Sequence, residues 1–515
     1  MAFADEFPRF PEKRRSEYRT VETPSASNRS FDLALSVAIF LVVAIAAGRV
    51  YRFPFKDETS SLSVASTLHL SELPRYLLND RDLNKPPLSY LLYYAGWSAG
   101  LRAAGLRWVA LGCTAGALAI WHWLTLSCLE AEIPVPIRLL IAILFGISPM
   151  ALSKGDSIRW YPPLALAVAT AFLFYLRNTR RWFLSGIAMG IAADFSFLAI
   201  VPFLSLCVHR YLVERKFRWK EEVRFFLFSG LFASLGFITF AEFLLSSQAA
   251  PDMMPRVLKR LGYSLVGFFG GFTLGLSQLW IVFLAVIATA YLAHRGLLGA
   301  AGSSTAKSIC TLALLTAAGV ALLTLGGFVE PQGYVFLTPM ISALASIGFV
   351  YALNISPRLG SAAYAGLLVC SISVAANLRW SSSPFDRYAA PFGEVINFVT
   401  TNRRGTTTVV TTDYTIFYEL SRTPGLCVAL FDPLIPGNWH PDPCIAKKVD
   451  TVFTIEGFGL NKDDPLWRSK LAQIIQDKRL IAEANFGEDD DFRLRGQLSP
   501  QLPYPRSLMD VTIFR

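Results

Sequence analysis

Apolar runs of roughly 20 residues, the length that crosses the hydrocarbon of a bilayer, recur from Phe31 to about Asn377. Inside hydrocarbon no water satisfies backbone N–H and C=O groups, so runs of this length must fold as spanning helices. They fall at approximately Phe31–Val50, Arg107–Thr125, Arg138–Leu152, Pro162–Tyr175, Trp182–Asp194, Leu198–Tyr211, Phe225–Leu245, Leu274–Ala293, Ser308–Phe328, Tyr334–Leu353 and Ser361–Ala376. The expected fold is an all-α polytopic membrane protein of about eleven transmembrane helices, with interfacial helices in the first exoplasmic loop and a small C-terminal α/β exoplasmic domain. Residues 1–30 form a basic, disordered cytoplasmic tail, with Arg9, Lys13, Arg14, Arg15, Arg19 and Arg29, and read as a topological anchor rather than a cleavable signal. Residues 31–378 form the transmembrane module, with an exoplasmic loop at 51–106, and residues 379–515 the C-terminal domain.

The formal charge of +10 is no nucleic-acid signal, because the cations cluster between apolar runs. Three basic segments, the N-terminal tail, Arg177–Arg181 and Arg210–Arg224, belong inside by the positive-inside rule. Parity then decides the stretch Pro87–Gly105. If it crossed the membrane, both later basic segments would face outward. If it lies along the surface, with Tyr90, Tyr93, Tyr94 and Trp97 at headgroup level, both fall inside. An odd number of crossings from an inside N-terminus leaves the C-terminal segment outside. There, β-rich runs (Thr406–Thr411, Thr451–Ile455, Val511–Phe514) alternate with helical patterns (Gly393–Thr400, Leu466–Asp477). Its two cysteines, Cys427 and Cys444, are candidates for a disulfide in an oxidising compartment. The other five lie in or beside apolar runs and read as core residues.

With this topology, acids and cations gather at one membrane–water boundary. They include the adjacent pair Asp57-Glu58, Lys85 in Asn84-Lys85-Pro86-Pro87, and the segment Ser153-Lys154-Gly155-Asp156 with Arg159-Trp160-Tyr161. Asp194, the cations Arg256, Lys259 and Arg260, and the turn Glu330-Pro331-Gln332-Gly333-Tyr334 join them. Carboxylates are costly near hydrocarbon, so a pair at a span's end is a functional candidate, although a polar helix flank has the same composition. A transporter more often keeps its ionisable groups near the midplane, within discontinuous helices. Neither a P-loop nor a His-Glu-x-x-His motif occurs, the histidines are scattered (His69 alone shares the first outer loop), and the tail cysteines lack zinc-finger spacing.

An acidic pair after the first span, a Lys-Pro-Pro segment before an interfacial helix, an acidic-basic-aromatic loop, a Pro-x-x-Tyr turn before a late span and a soluble C-terminal domain occur here in that order. This order resembles the lipid-dependent C-type glycosyltransferases, the family of the aminoarabinose transferases and protein O-mannosyltransferases. Two positions differ from the common pattern: Asn84 stands where aminoarabinose transferases often have an acid, and Gly333 where a basic residue often precedes the tyrosine. The resemblance implies transfer of a monosaccharide from a polyprenyl-phosphate donor to an envelope acceptor: lipopolysaccharide, another glycan, a lipid or a protein. It implies Asp57 as general base, with Glu58 orienting it or bonding the acceptor, and Lys85 as donor-phosphate contact. Arg159 is either a second phosphate contact or an anchor of its span. Asp156 either binds sugar or pairs with Arg159, and Tyr161 and Tyr334 complete the substrate-binding set, an interfacial tyrosine being the plainer reading of Tyr334. Lys85 has its own plain reading as a snorkelling lysine, and the three cations at 256–260 read as a headgroup contact. No cofactor is required; a divalent metal between Asp57 and another carboxylate is compatible with the pattern. The expected setting is a bacterial inner membrane, with no nucleic-acid partner. The second reading is a transporter or flippase of lipid-linked sugars.

Overall fold

The structure is a computed structural model. It describes residues 27–47, 58, 61–62, 65, 87–129, 133–177, 182–213, 217–234, 254–271, 274, 278–300, 303–325, 331–380, 392–431, 439–440, 449–457, 465–475, 477–486 and 509–515.

The first apolar run forms α1 (Ser27–Ala47), and the Pro87 segment forms α2 (Pro87–Ser98). At about 1.5 Å per residue α2 is roughly 18 Å long, short of a bilayer's hydrocarbon. Its tyrosines do not all face headgroups, however. Tyr90 and Tyr93 are buried, because Pro87, Ser89, Tyr90 and Tyr93 form the inward stripe of the helix. Gly100, at φ +90°, turns the chain into α3 (Ala103–Cys128). This helix starts four residues before the expected span, so Arg107 lies inside it, and it runs about 39 Å.

The expected single span Arg138–Leu152 is two helices, α4 (Val135–Gly146) and α5 (Pro149–Lys154). Pro149 cannot donate to the helix ladder and disfavours helical geometry at Ser148. The Ser148 hydroxyl instead donates to the Leu144 and Phe145 carbonyls at 3.0 and 2.9 Å. Then follow α6 (Tyr161–Arg177), α7 (Trp182–Phe195), α8 (Ile200–Val208, extended by a π turn through Val213), α9 (Trp219–Phe232), α10 (Met254–Gly270), α11 (Leu279–Gly299) and α12 (Ser304–Leu325). A 3-10 turn (Pro331–Leu337) leads into α13 (Thr338–Ile355), and α14 (Pro357–Trp380) closes the module.

Five helical segments are long and apolar enough to cross a membrane, and five shorter apolar helices accompany them among the described residues. The protein is an integral membrane protein. Its helices approach closely where side chains are small: a Cβ on Gly186 would lie 2.6 Å from the Phe225 carbonyl of α9, and one on Gly190 2.7 Å from that of Ser229.

The C-terminal segment forms α15 (Phe392–Asn402), β1 (Thr407–Thr411), α16 (Tyr414–Leu420), β2 (Leu426–Phe431), β3 (Trp439–His440), β4 (Thr451–Gly457), α17 (Pro465–Ile475), β5 (Leu480–Phe486) and β6 (Met509–Phe514). The strand order is β3-β2-β1-β4-β6-β5, with β2, β1 and β4 parallel and the outer strands antiparallel. Every residue of β1 is buried, as in a strand covered on both faces. Val409 packs with α15 and α16, and Val410 with Trp467 of α17. The Asp413 carboxylate caps α16 by accepting from the Thr415 and Ile416 amides at 2.8 and 3.1 Å. Cys427 on β2 is disulfide-bonded; Cys444, its expected partner, lies outside the described residues.

Candidate active site

Glu58 is 1% exposed, a position in which a lone carboxylate is strongly disfavoured. Arg107 of α3, equally buried, donates to both of its oxygens, Nη2 to Oε2 at 2.9 Å and Nε to Oε1 at 3.3 Å. The Ile158 amide adds a third bond to Oε1 at 3.1 Å. A bidentate guanidinium with a backbone donor fixes a carboxylate in one orientation. This clamp ties together the segment after α1, the start of α3 and the loop between α5 and α6.

That loop carries three of the expected site residues, Asp156, Arg159 and Tyr161. Lys154, Asp156 and Tyr161 are buried, and Arg159 is half-buried. Its path is set by Thr114 of α3, whose hydroxyl donates to the Gly155 carbonyl at 2.7 Å. Gly155 is required by proximity: a Cβ there would meet the Ala151 carbonyl and lie 2.7 Å from the Thr114 methyl. Further along, the Tyr93 hydroxyl of α2 donates to the Arg159 carbonyl at 2.7 Å. Trp160 and Tyr161 meet edge to face at 4.4 Å between ring centres, where Pro162 and Pro163 open α6. The 3-10 turn bearing Tyr334 packs against α5, α6 and α10. Tyr334 faces inward, and its hydroxyl is hydrogen-bonded to that of Thr324 on α12. Asp194, near the end of α7, is buried.

The structure thus brings Glu58, the Lys154–Tyr161 loop and the Tyr334 turn into one assembly. Asp57, Asn84, Lys85 and Glu330 lie outside the described residues. Arg256, Lys259 and Arg260 are on α10, which packs against α5 and the Tyr334 turn. Among the described residues, no three or more His, Cys, Asp or Glu gather as a metal site.

Two residues bonded into this assembly, Arg107 and Tyr93, were not singled out from the sequence. Arg107 read as the edge of a span, although a lone arginine next to an apolar run is itself a signal of a buried partner. Tyr93 read as an interfacial aromatic, and nothing local distinguishes it from Tyr94. A further buried ion pair lies at the far end of α6, about 25 Å from the loop. Arg210 counted toward a basic cytoplasmic segment but is buried and paired, with Glu222 at 2.7 Å and Glu221 at 3.3 Å. Trp182 donates to the same Glu222 at 3.0 Å. Here the cation neutralises acids on α9 that charge counting set aside.

No protein-family model matches the chain, and comparison with curated proteins gives no match. Among solved structures, the fold is similar to the crystal structure of ArnT from Cupriavidus metallidurans in the apo state, with TM-score 0.52 and 11% identity, covering 95% of this chain and 98% of that one. The crystal structure of the same protein bound to undecaprenyl phosphate superposes with TM-score 0.49 at 13% identity, covering the same 95% and 98%. At these identities the likeness is one of fold.

Proposed function

We propose that this chain, which has the fold of ArnT, is a membrane glycosyltransferase that moves a monosaccharide from a polyprenyl phosphate to a cell-envelope acceptor on the exoplasmic side. The observation that carries the reading is the Glu58–Arg107–Ile158 clamp, which joins the acidic pair to the charged loop before α6 within that fold.

In the proposed reaction the acceptor hydroxyl oxygen bonds to the anomeric carbon as the bond from that carbon to the phosphate oxygen breaks. The acceptor's proton passes to a carboxylate, and the polyprenyl phosphate leaves with the electron pair. Glu58 is ill suited to take that proton, because both its oxygens are engaged by Arg107 and one also by the Ile158 amide. It is the orienting member of the pair, and Asp57, joined to it by one peptide bond, is the general base. Lys85 and Arg159 balance the charge that develops on the leaving phosphate. Asp156, Tyr161 and Tyr334 form the sugar side, Tyr334 acting through the wall it builds with Thr324. The N-terminal tail is then cytoplasmic and the C-terminal domain periplasmic, in a bacterial inner membrane.

The test is transfer of radiolabelled sugar from polyprenyl-phosphate donors to envelope extract by purified wild type and Asp57→Asn. Loss of a general base costs about 10²–10⁴-fold in turnover, with donor binding retained. Equal transfer by both proteins would remove Asp57 from the mechanism. Folded wild type that binds donor lipid but transfers nothing would favour the transporter reading.

A further inference from the structure

We infer that Tyr418, contributed by the C-terminal domain, is a positioning residue for the Glu58 clamp, so that docking of this domain sets the geometry of Glu58. The inference deepens the transferase reading and rests on it for its consequence in catalysis, though not for its structural content.

The sequence of α16 presents two faces. Ile416 and Leu420, one helical turn apart, enter the core of the C-terminal domain. Tyr418 lies two residues from each, about 200° around the helix, and therefore points away from that core. It is nevertheless only 5% exposed, because its ring enters a separate cluster with Leu62, Tyr93, Leu106 and Ile158.

All four partners belong to the membrane module, and each is tied to the clamp. Ile158 supplies the amide bonded to Glu58. Tyr93 holds the next carbonyl, that of Arg159. Leu106 precedes Arg107, and Leu62 is four residues beyond Glu58, with both residues helical. Tyr418 therefore closes the apolar side of the same shell whose polar side is the Glu58–Arg107 pair.

Cations fasten the ring from above. The Arg422 guanidinium lies 3.6 Å from the Tyr418 ring centre and 5.7 Å from that of Trp97 on α2. Arg102 lies 4.7 Å from the same Trp97 ring. Two guanidinium groups thus share one indole across the boundary between module and domain, a contact that gains as water is excluded.

The experiment is hydrogen exchange read by mass spectrometry on the full-length purified chain, following the segment 156–160 and, as a control, β1 and β2. Tyr418→Ala is expected to speed exchange at 156–160 by about tenfold while β1 and β2 keep their protection. Tyr418→Phe keeps the ring and is expected to match wild type. In the transfer assay Tyr418→Ala is expected to lower kcat by about tenfold and leave the donor KM within about twofold, since the ring acts through the packing around Glu58. Unchanged exchange in the Ala variant, or a Phe variant as fast as Ala, overturns the inference. If the Ala variant also loosens β1 and β2, Arg422→Ala decides: faster exchange at 156–160 with an intact sheet supports positioning, and unchanged exchange overturns it. Should wild type transfer no sugar from any donor, the transferase reading fails while the exchange result still stands or falls alone.

Discussion

Replacing Arg107 by Met would leave the Glu58 carboxylate, 1% exposed, without the guanidinium that donates to both of its oxygens. Removing one partner of a buried pair costs about 3–5 kcal/mol, because the surviving charge stays in a poorly solvated place. The double variant Glu58→Leu, Arg107→Met removes both charges together. What it loses is the acceptor for the Ile158 amide, worth about 1–3 kcal/mol when left unsatisfied. The double variant is therefore expected to be more stable than Arg107→Met alone by about 2 kcal/mol, an inversion of simple additivity. Unfolding in detergent micelles, followed by tryptophan fluorescence and compared as rates at one temperature, measures the order. The expected ranking is wild type, then double variant, then Arg107→Met. An Arg107→Met protein within about 1 kcal/mol of wild type would mean that Glu58 is not both charged and buried.

Two further outcomes follow from the same geometry. Gly155→Ala places a Cβ against the Ala151 carbonyl and the Thr114 side chain, so it is expected to cost about 1–3 kcal/mol by overpacking; wild-type unfolding behaviour would show that the loop has room to move. Burial raises the Glu419 carboxyl above its ordinary 4.5, while Arg422 and then Arg107 pull it back down. A carboxyl raised on folding holds its proton more tightly in the folded state, so its contribution is present below the ordinary value and lost as pH rises through the folded one. The unfolding temperature of wild type is thus expected to fall relative to Glu419→Gln as pH rises through the range just above 4.5; a gap that stays constant with pH would refute this.

The apolar runs were legible as helices because hydrocarbon leaves the backbone no other partner, and each expected span overlaps a helix among the described residues. The C-terminal strands at Thr407–Thr411, Thr451–Gly457 and Met509–Phe514 were legible from their β-rich runs, and the helices Phe392–Asn402 and Pro465–Ile475 from their period. Pro149 marked a break in its own span that length alone concealed. The Lys154–Tyr161 loop stood out in the sequence because it concentrates charge between apolar helices.

Side-chain partners were not legible. Glu58 and Arg107 are 49 residues apart, and Glu58 and Ile158 are 100 apart. Hydrophobic period and residue type give the face a side chain is on, whereas a partner depends on which helices pack together and at what height. Tyr90 and Tyr93 carry the composition of a membrane interface, yet they are buried, Tyr93 beneath Tyr418 from the far end of the chain. Arg210 carries the charge of a cytoplasmic anchor but neutralises Glu222. The sequence by itself determined that this chain crosses a membrane, that it ends in an α/β domain, and that its acids and cations gather at the ends of particular helices. The tertiary structure decided which of those charges are clamped and by what. A charge near a bilayer must be compensated, but the compensating group is chosen by packing, and packing joins residues that no local pattern connects.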